Sequence, residues 1–310
     1  MKNELVVKDN ILINASYNLE LTEQRLILLA IVEARESQAK LTSDTVVQIS
    51  AQEYAKTFYT TNEAAYAALK SAVNNLFERK FSYKEYRGDQ NKEFIVKSRW
   101  VSKIAYADNL GVLEVTFASD VVPLIIRLEK HFTSYQLKQV SQLSSKYAIR
   151  LYEILISWRE VGKTPVITIQ DFRNKIGLEN SEYLRMDNLK RIVIEPAIKQ
   201  INKYTDIYVE YEQFKSGRSI VGLQFRFKLK DFKMLNSIID KEPEKQIKLT
   251  EKQILLFANK LAYDDAFASK HAEVGEEYTD LEKRLIKKLS DNEFIKKYSK
   301  DLERVGLNFK

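Results

Sequence analysis

The chain has 310 residues, about twice a usual domain length, so two domains and an appendage are expected. Its 45% hydrophobic content is that of a folded protein, and with no cysteine it can hold no disulfide, thiolate metal site or cysteine nucleophile. Lys and Arg outnumber Asp and Glu by 50 to 43, a moderate excess that favours an anionic partner only if the charges are clustered.

The opening Met1-Lys2-Asn3-Glu4 leads into a mixed polar segment with no apolar run of signal-peptide length. Nothing later approaches the ~20 apolar residues of a membrane span. A soluble, cytoplasmic protein is expected. Eight glycines in the whole chain leave little room for a Gly-rich phosphate loop.

In chain order, Leu21 to Arg35 carries Leu21, Leu26, Leu29 and Ala30 at helical spacing, with Thr22 placed to cap the helix. A loop around Lys40 to Thr45 leads to a short strand at Val46 to Ile49. Ser50-Ala51-Gln52-Glu53 reads as a capping box opening a short helix over about 50–57. A second helix is predicted from about Asn62 to Arg79, with Ala65, Leu69, Val73, Leu76 and Phe77 on one side. The period then changes from helical to alternating. Phe81 to Tyr86 reads as a strand, Arg87-Gly88-Asp89 as a turn and Phe94 to Tyr106 as one long strand. Asn109-Leu110-Gly111 turns into Val112 to Phe117. Helix, short strand, two helices and a β-ribbon is the order of a winged helix-turn-helix.

Helices are predicted over about 119–128 and 133–142, then a long amphipathic one from Ser144 to Val161, ended by Gly162. There the first pattern returns. Ile167-Thr168-Ile169-Gln170-Asp171-Phe172 matches Ile49-Ser50-Ala51-Gln52-Glu53-Tyr54, displaced by 118 positions. Leu189-Lys190-Arg191-Ile192-Val193 echoes Leu69-Lys70-Ser71-Ala72-Val73. Strands at Ile207 to Phe214 and Ile220 to Leu229 flank a Lys215-Ser216-Gly217-Arg218 tip. The expected fold is α+β: tandem winged-helix domains at 1–143 and 144–235, related by an internal repeat, with a charged helical tail at 236–310. That tail holds helical patterns at Thr250 to Leu261 and Tyr278 to Leu289.

Signals for catalysis are poor. Gly162-Lys163-Thr164 resembles the end of a phosphate-binding loop, but the first glycine of that motif would fall at Ser157, inside a helix. Gly162 is better read as a helix-ending glycine. His131 and His271 are the only histidines and lie far apart, so no paired-histidine metal site or nickase is expected. No cofactor, metal or catalytic residue is assigned.

Nucleic-acid signals are better. Arg185, Asn188 and Arg191 recur every third residue at the start of the second unit's recognition helix, where Arg reads guanine and Asn reads adenine. Leu189, Val193, Ala197 and Ile201 would face the core. From Glu182 to Lys233 there are 11 basic and 7 acidic residues, a local excess of four. Lys215 and Arg218 at the wing tip are placed to hold phosphate. In the first unit Thr61, Asn62, Tyr66 and Lys70 on the equivalent helix, with Lys84, Arg87 and Lys92 on the wing, are expected to make weaker, mostly backbone contacts.

Three segments together resemble the iteron-binding plasmid replication initiators: Leu21-Thr22-Glu23-Gln24-Arg25-Leu26, Ser145-Lys146-Tyr147-Ala148-Ile149-Arg150-Leu151-Tyr152-Glu153-Ile154-Leu155, and Leu189 to Tyr211 running into Lys215-Ser216-Gly217-Arg218. The resemblance covers about residues 5 to 230. It implies two winged-helix domains, the C-terminal one reading the major groove of double-stranded iteron repeats through Arg185, Asn188, Lys190, Arg191, Lys215 and Arg218. The N-terminal one is implied to contact backbone and minor groove and to mediate dimerisation, with the dimer repressing its own gene at an operator. Host replication proteins are possible partners of the tail. The alternative is a transcriptional repressor of the same fold with no replication role. An enzyme, or a winged-helix module that binds only protein, stands further back.

Overall fold

The computed structural model describes residues 4–36, 41–88, 92–126, 131–230, 249–273, 276–289 and 292–307. Sequence features expected at Lys40, Asp89, 127–128 and 231–248 lie outside these. Packing divides the chain into two units, Met1–Asp240 and Lys241–Lys310.

The first unit opens with a strand and a short helix that the sequence pattern does not disclose, β1 (Leu5–Asp9) and α1 (Asn10–Asn14). Helix α2 (Leu21–Glu36) buries every residue from Leu26 to Val32. It begins one residue before Thr22, and the Glu23 carboxylate, accepting from the Glu20 N–H at 2.8 Å, closes its first turn instead. Strand β2 (Val47–Ser50), α3 (Ala51–Thr57) and α4 (Asn62–Glu78) follow as expected. Ser50 caps α3 by accepting from the Glu53 N–H at 3.1 Å, and Thr61 caps α4 from the Ala64 N–H at 3.2 Å.

The long strand expected from Phe94 to Tyr106 is two strands. After β3 (Lys80–Arg87), β4 (Lys92–Arg99) pairs only with β3, while β5 (Val101–Ala107) pairs with β6 (Val112–Phe117) in a different sheet, ordered β2-β6-β5. The switch falls at Trp100, fully buried against Tyr17 and Phe81. Alternation along one strand continues through such a switch, so it gives no local sign of it.

The helix expected over 119–128 is the five-residue α5 (Val122–Ile126). The one expected over 133–142 is instead a strand, β7 (Phe132–Gln136), followed by the short α6 (Lys138–Ser141). β7 takes β1 as its antiparallel partner, Val7 opposite Ser134. Long-range pairing overrides local helical spacing here.

The second winged helix repeats the first. Helix α7 (Lys146–Ile156), β8 (Ile167–Thr168) and α8 (Ile169–Ile176) correspond to α2, β2 and α3. Thr168 accepts from the Asp171 N–H at 3.1 Å, as Ser50 does from Glu53. One continuous helix then runs through α9 (Met186–Asn188), a π-helical stretch (Leu189–Ile194) and α10 (Glu195–Tyr204). Strands β9 (Ile207–Ser216) and β10 (Ser219–Leu229) complete a sheet ordered β8-β10-β9, the same order as β2-β6-β5. Helix α7 is shorter than Ser144 to Val161. It gives way to turns that end at Gly162 (φ 72°), whose N–H bonds the Trp158 carbonyl at 3.0 Å. Thr164 is committed to the sheet edge, its hydroxyl accepting from the Phe225 N–H at 3.1 Å, so Gly162-Lys163-Thr164 is no phosphate loop.

A buried ionic cluster on α7 joins the two winged helices. Arg150, 1% exposed, donates to the carbonyls of Ile13 (3.0 Å) and Ala15 (3.1 Å) before α2, and to that of Lys175 (2.8 Å) in α8. It also donates to Tyr17 and to Glu153 Oε2 (3.0 Å), while Glu153 Oε1 accepts from Lys8 Nζ (2.6 Å) and the Tyr135 hydroxyl (2.7 Å). Every buried charge here has an opposite charge, and Arg150 and Glu153 have further hydrogen bonds, the condition under which such groups are tolerated.

The second unit has helices Glu251–Ala262, Asp265–His271, Tyr278–Lys288, Asn292–Lys297 and Ser299–Arg304. The charged helical tail read from the sequence thus has helices where expected. It also has its own core, of Phe257, Leu261, Phe267, Leu281, Leu285 and Leu302 among others. Each helix is too short to show a long apolar stripe, and the core forms from a few residues of each.

Candidate nucleic-acid interface

The face that the second recognition helix offers outward is fixed by the face it buries. Leu189, Val193, Ala197 and Ile201 are each at most 1% exposed. At roughly 1.5–3 kcal/mol for each large side chain buried, rotating this face outward is prohibitive. Pro196 sits inside the helix, where its ring crowds the carbonyl four residues back and it offers no N–H. The widened π turn lies immediately before it and relieves that crowding.

Arg185 stands at the helix N-cap position and is exposed, as are Asp187 and Arg191; Asn188 and Lys190 are half-buried. The guanidinium of Arg185 forks onto Asp187, Nε to Oδ1 at 3.1 Å and Nη2 to Oδ2 at 2.8 Å. That hydrogen bond holds the Asp187 carboxyl below its usual pKa. Arg191 Nη2 donates to Asn188 Oδ1 at 3.2 Å. Of the three side chains that recur at this spacing, Arg185 and Arg191 are therefore on open surface and Asn188 is half-buried under Arg191.

The loop entering the helix is held by a residue that the sequence pattern did not single out. Arg173 on α8, 7% exposed, donates to the carbonyls of Glu179 (2.9 Å), Tyr183 (3.1 Å) and Glu182. A basic residue next to Phe172 on a short helix looks like any surface arginine. Only the loop folding back over it shows its use.

At the wing tip Ser216 pairs with Ser219 across a two-residue turn, Gly217-Arg218, with Gly217 at φ 59°. Glycine at the first turn position suits the tight hairpins whose twist matches the strands. Lys215 and Arg218 are exposed there.

The first winged helix is arranged differently. Its wing is β5–β6, because β6 pairs with β2 and carries β5 on its other edge, as β10 pairs with β8 and carries β9. Lys84, Arg87 and Lys92 are therefore not on the wing. They lie on β3–β4, a hairpin inserted between α4 and the wing strands. Lys84 is paired with Glu93 at 3.0 Å, and Arg87 with Glu85 while lying 5.0 Å from the Phe94 ring centre. On α4, Thr61 caps the helix, Asn62 is exposed, Tyr66 packs against Gly111 at the wing turn, and Lys70 binds Asp108 of that turn at 3.0 Å. The Asp108 hydrogen bond holds the Lys70 ammonium above its usual pKa. Helix and wing turn are thereby joined, and the positive charge of Lys70 is locally balanced.

Among the described residues no group of His, Asp or Glu is positioned to hold a metal, and no helix is long and apolar enough to cross a membrane. His131 and His271 fall in separate units.

Two winged helices in tandem, the second with an outward cluster of arginines on its recognition helix and a basic wing tip, define a DNA-binding class of protein. Family models agree: residues 5–156 match "Initiator Replication protein, WH1" and residues 168–227 match "Initiator Rep protein, WH2". The chain belongs to this family of replication initiators, which bind DNA and are not enzymes. A solved structure, "Crystal structure of Pi initiator protein in complex with iteron DNA", has the same fold, with a TM-score of 0.60 and 24% identity over 74% of this chain and 99% of that one. The WH1 domain of MSBI1.176, a replication protein isolated from a multiple sclerosis patient, is 48% identical and covers 40% of this chain and 93% of that one, with a TM-score of 0.34. An uncharacterised 27.6 kDa protein of Escherichia coli is 25% identical over 226 residues, 70% of this chain and 93% of that protein.

Proposed function

We propose that the protein starts replication of a plasmid by binding iteron repeats at its origin, through residues 1–143 and 144–235 acting as two DNA-binding domains. The observation that carries this reading is the exposure of Arg185 and Arg191 at the start of the recognition helix, with half-buried Asn188 and Lys190 between them and Lys215 and Arg218 exposed at the wing tip. The crystallised Pi initiator, of the same fold, is bound to iteron DNA. The second recognition helix enters the major groove and supplies base readout, and the wing holds phosphate. The first domain, with Thr61, Asn62, Tyr66 and Lys70 on its helix and Lys84 and Arg87 on the inserted hairpin, contributes backbone contacts.

In the cytoplasm the protein also represses its own gene as a dimer. Self-association through the first domain is supported by β3–β4, a two-stranded hairpin that exposes Tyr86, Phe94 and Ile95. Residues 236–310, outside both family matches, serve contacts with host replication proteins.

The test is replication of a plasmid that carries the gene and its flanking DNA. Maintenance that is lost with Arg191→Ala, together with retention of the flanking repeats by the purified protein, is the expected result. Repression of the promoter without any support of replication would leave a repressor in its place.

A further inference from the structure

We propose that Asp187 is a positioning residue for base readout: it holds the Arg185 guanidinium edge-on to the groove and so raises discrimination at one guanine while lowering affinity for DNA in general. This rests on the reading of helix 186–204 as the base reader.

Three observations carry it. The contact is a two-bond fork, at 3.1 and 2.8 Å, and not a single long-range attraction. Both side chains are exposed, 78% for Arg185 and 61% for Asp187, and exposed pairs add little to folding, so the fork itself contributes little stability. The pair also sits at the first turn of the recognition helix, the part nearest base edges, where the helix end favours a carboxylate.

The donor inventory then decides what Arg185 can do. A guanidinium has five N–H donors. The fork occupies the Nε–H and one Nη2–H. What remains is the distal edge, one Nη2–H beside one Nη1–H, with a further Nη1–H to the side. Two parallel donors on that edge match the O6 and N7 acceptors of guanine. Without Asp187, Arg185 swings on a long stem and can settle on any phosphate. With it, the plane of the group is set before DNA arrives. The carboxylate meanwhile repels phosphate, which weakens binding to every sequence and weakens least where Arg185 finds guanine.

The experiment uses the full chain and a duplex selected by the wild-type protein from a random library. Each guanine of that duplex is replaced in turn by 7-deazaguanine, which keeps pairing but removes N7. A good bidentate contact discriminates by roughly 5- to 150-fold. Wild type is expected to lose affinity on that scale at one guanine, and Arg185→Ala to abolish the loss there. Asp187→Ala and Asp187→Asn are expected to reduce it at least several-fold while binding a random duplex as tightly as wild type or more tightly. Asp187→Glu, which keeps the carboxylate, should restore part of it. If Asp187→Ala tightens all duplexes alike and leaves the guanine penalty unchanged, Asp187 is a repulsive charge and the positioning role is wrong. If Arg191→Ala abolishes a guanine penalty and Arg185→Ala leaves every one in place, the base-reading helix stands and the role of Asp187 falls. If no duplex is enriched by the wild-type protein, both fall together.

Discussion

Gly177 packs under Tyr17 so closely that a Cβ built on it would stand 2.2 Å from the Tyr17 carbonyl oxygen. The glycine ends α8 in the left-handed region (φ 83°), and Tyr17 belongs to the segment between α1 and α2. The close approach is therefore a seam between the two winged helices. It lies beside the Lys175 carbonyl that Arg150 grips from α7.

Gly177→Ala is expected to destabilise the chain by more than the ~1–3 kcal/mol of a strained backbone conformation alone, because backbone must also move away from backbone. Gly217→Ala provides the comparison. Its φ is 59° but its Cβ would meet nothing within 4 Å, so only the conformational part applies. Denaturant unfolding of the two variants measures the difference. Equal losses would show that the seam yields without cost.

Acid should loosen the same seam. Burial alone would raise the Glu153 pKa, but the charges of Lys8 and Arg150 and the hydrogen bonds from Lys8 and Tyr135 override it and hold the carboxyl below the usual range. A carboxylate whose pKa is lowered by folding adds stability above its unfolded pKa of about 4.3. That stability is lost as pH falls through the lower folded value. Glu153→Gln should cost about 3–5 kcal/mol near neutrality, since Lys8 and Arg150 stay buried without their counter-charge. It should also flatten the acid limb of the stability–pH curve. An unchanged acid limb in the variant would assign that limb to other groups.

The repeat was legible because it is written in local chemistry. Ser50 and Thr168 cap equivalent helices from equivalent positions, and Leu189, Val193, Ala197 and Ile201 keep helical spacing through the π turn. The exposure of Arg185 and Arg191, with Asn188 half-buried between them, followed from that spacing. What stayed hidden depends on distant partners. β1 and β7 pair across more than a hundred residues, so Phe132–Gln136 carries no sign of its partner. The switch of sheets at Trp100 leaves alternation intact, which is why Lys84 and Arg87 read as wing residues. Arg173 and Arg150 look like surface cations until the chain closes over them.

DNA affinity should depend steeply on salt. If about 6–10 phosphates are neutralised, the association constant should fall by roughly 10³–10⁵ between about 50 and 200 mM salt. Fluorescence anisotropy on the flanking repeats gives the slope. A flat response would remove phosphate contact from the account.

Arg191 and Lys215 should fail in different ways. Arg191→Ala, if the arginine reads a base, should cost about 1–3 kcal/mol on the selected duplex and relax choice at one position. Lys215→Ala should weaken all duplexes alike and lower the salt slope by about 1. Selection from a random library with each variant separates the two patterns. A uniform loss for Arg191→Ala would reassign it to the backbone.

Asp108→Asn tests the proposal that the first domain contributes less to DNA binding. In the folded chain Lys70 reaches from α4 to Asp108 at 3.0 Å, with both side chains about two-thirds exposed, so the one cation of that helix is already balanced locally. The Tyr66 ring, packed on Gly111 of the same turn, keeps helix and turn together whether or not the ion pair is present. Removing the carboxylate therefore releases Lys70 without moving its helix. The variant should bind a random duplex more tightly, and its salt slope should steepen by about 1. Adding Lys70→Ala to Asp108→Asn should return the slope to that of wild type, because the gain belongs to that lysine. A slope unchanged by Asp108→Asn would mean that α4 does not approach phosphate at all, and the first domain would then act through protein contacts alone.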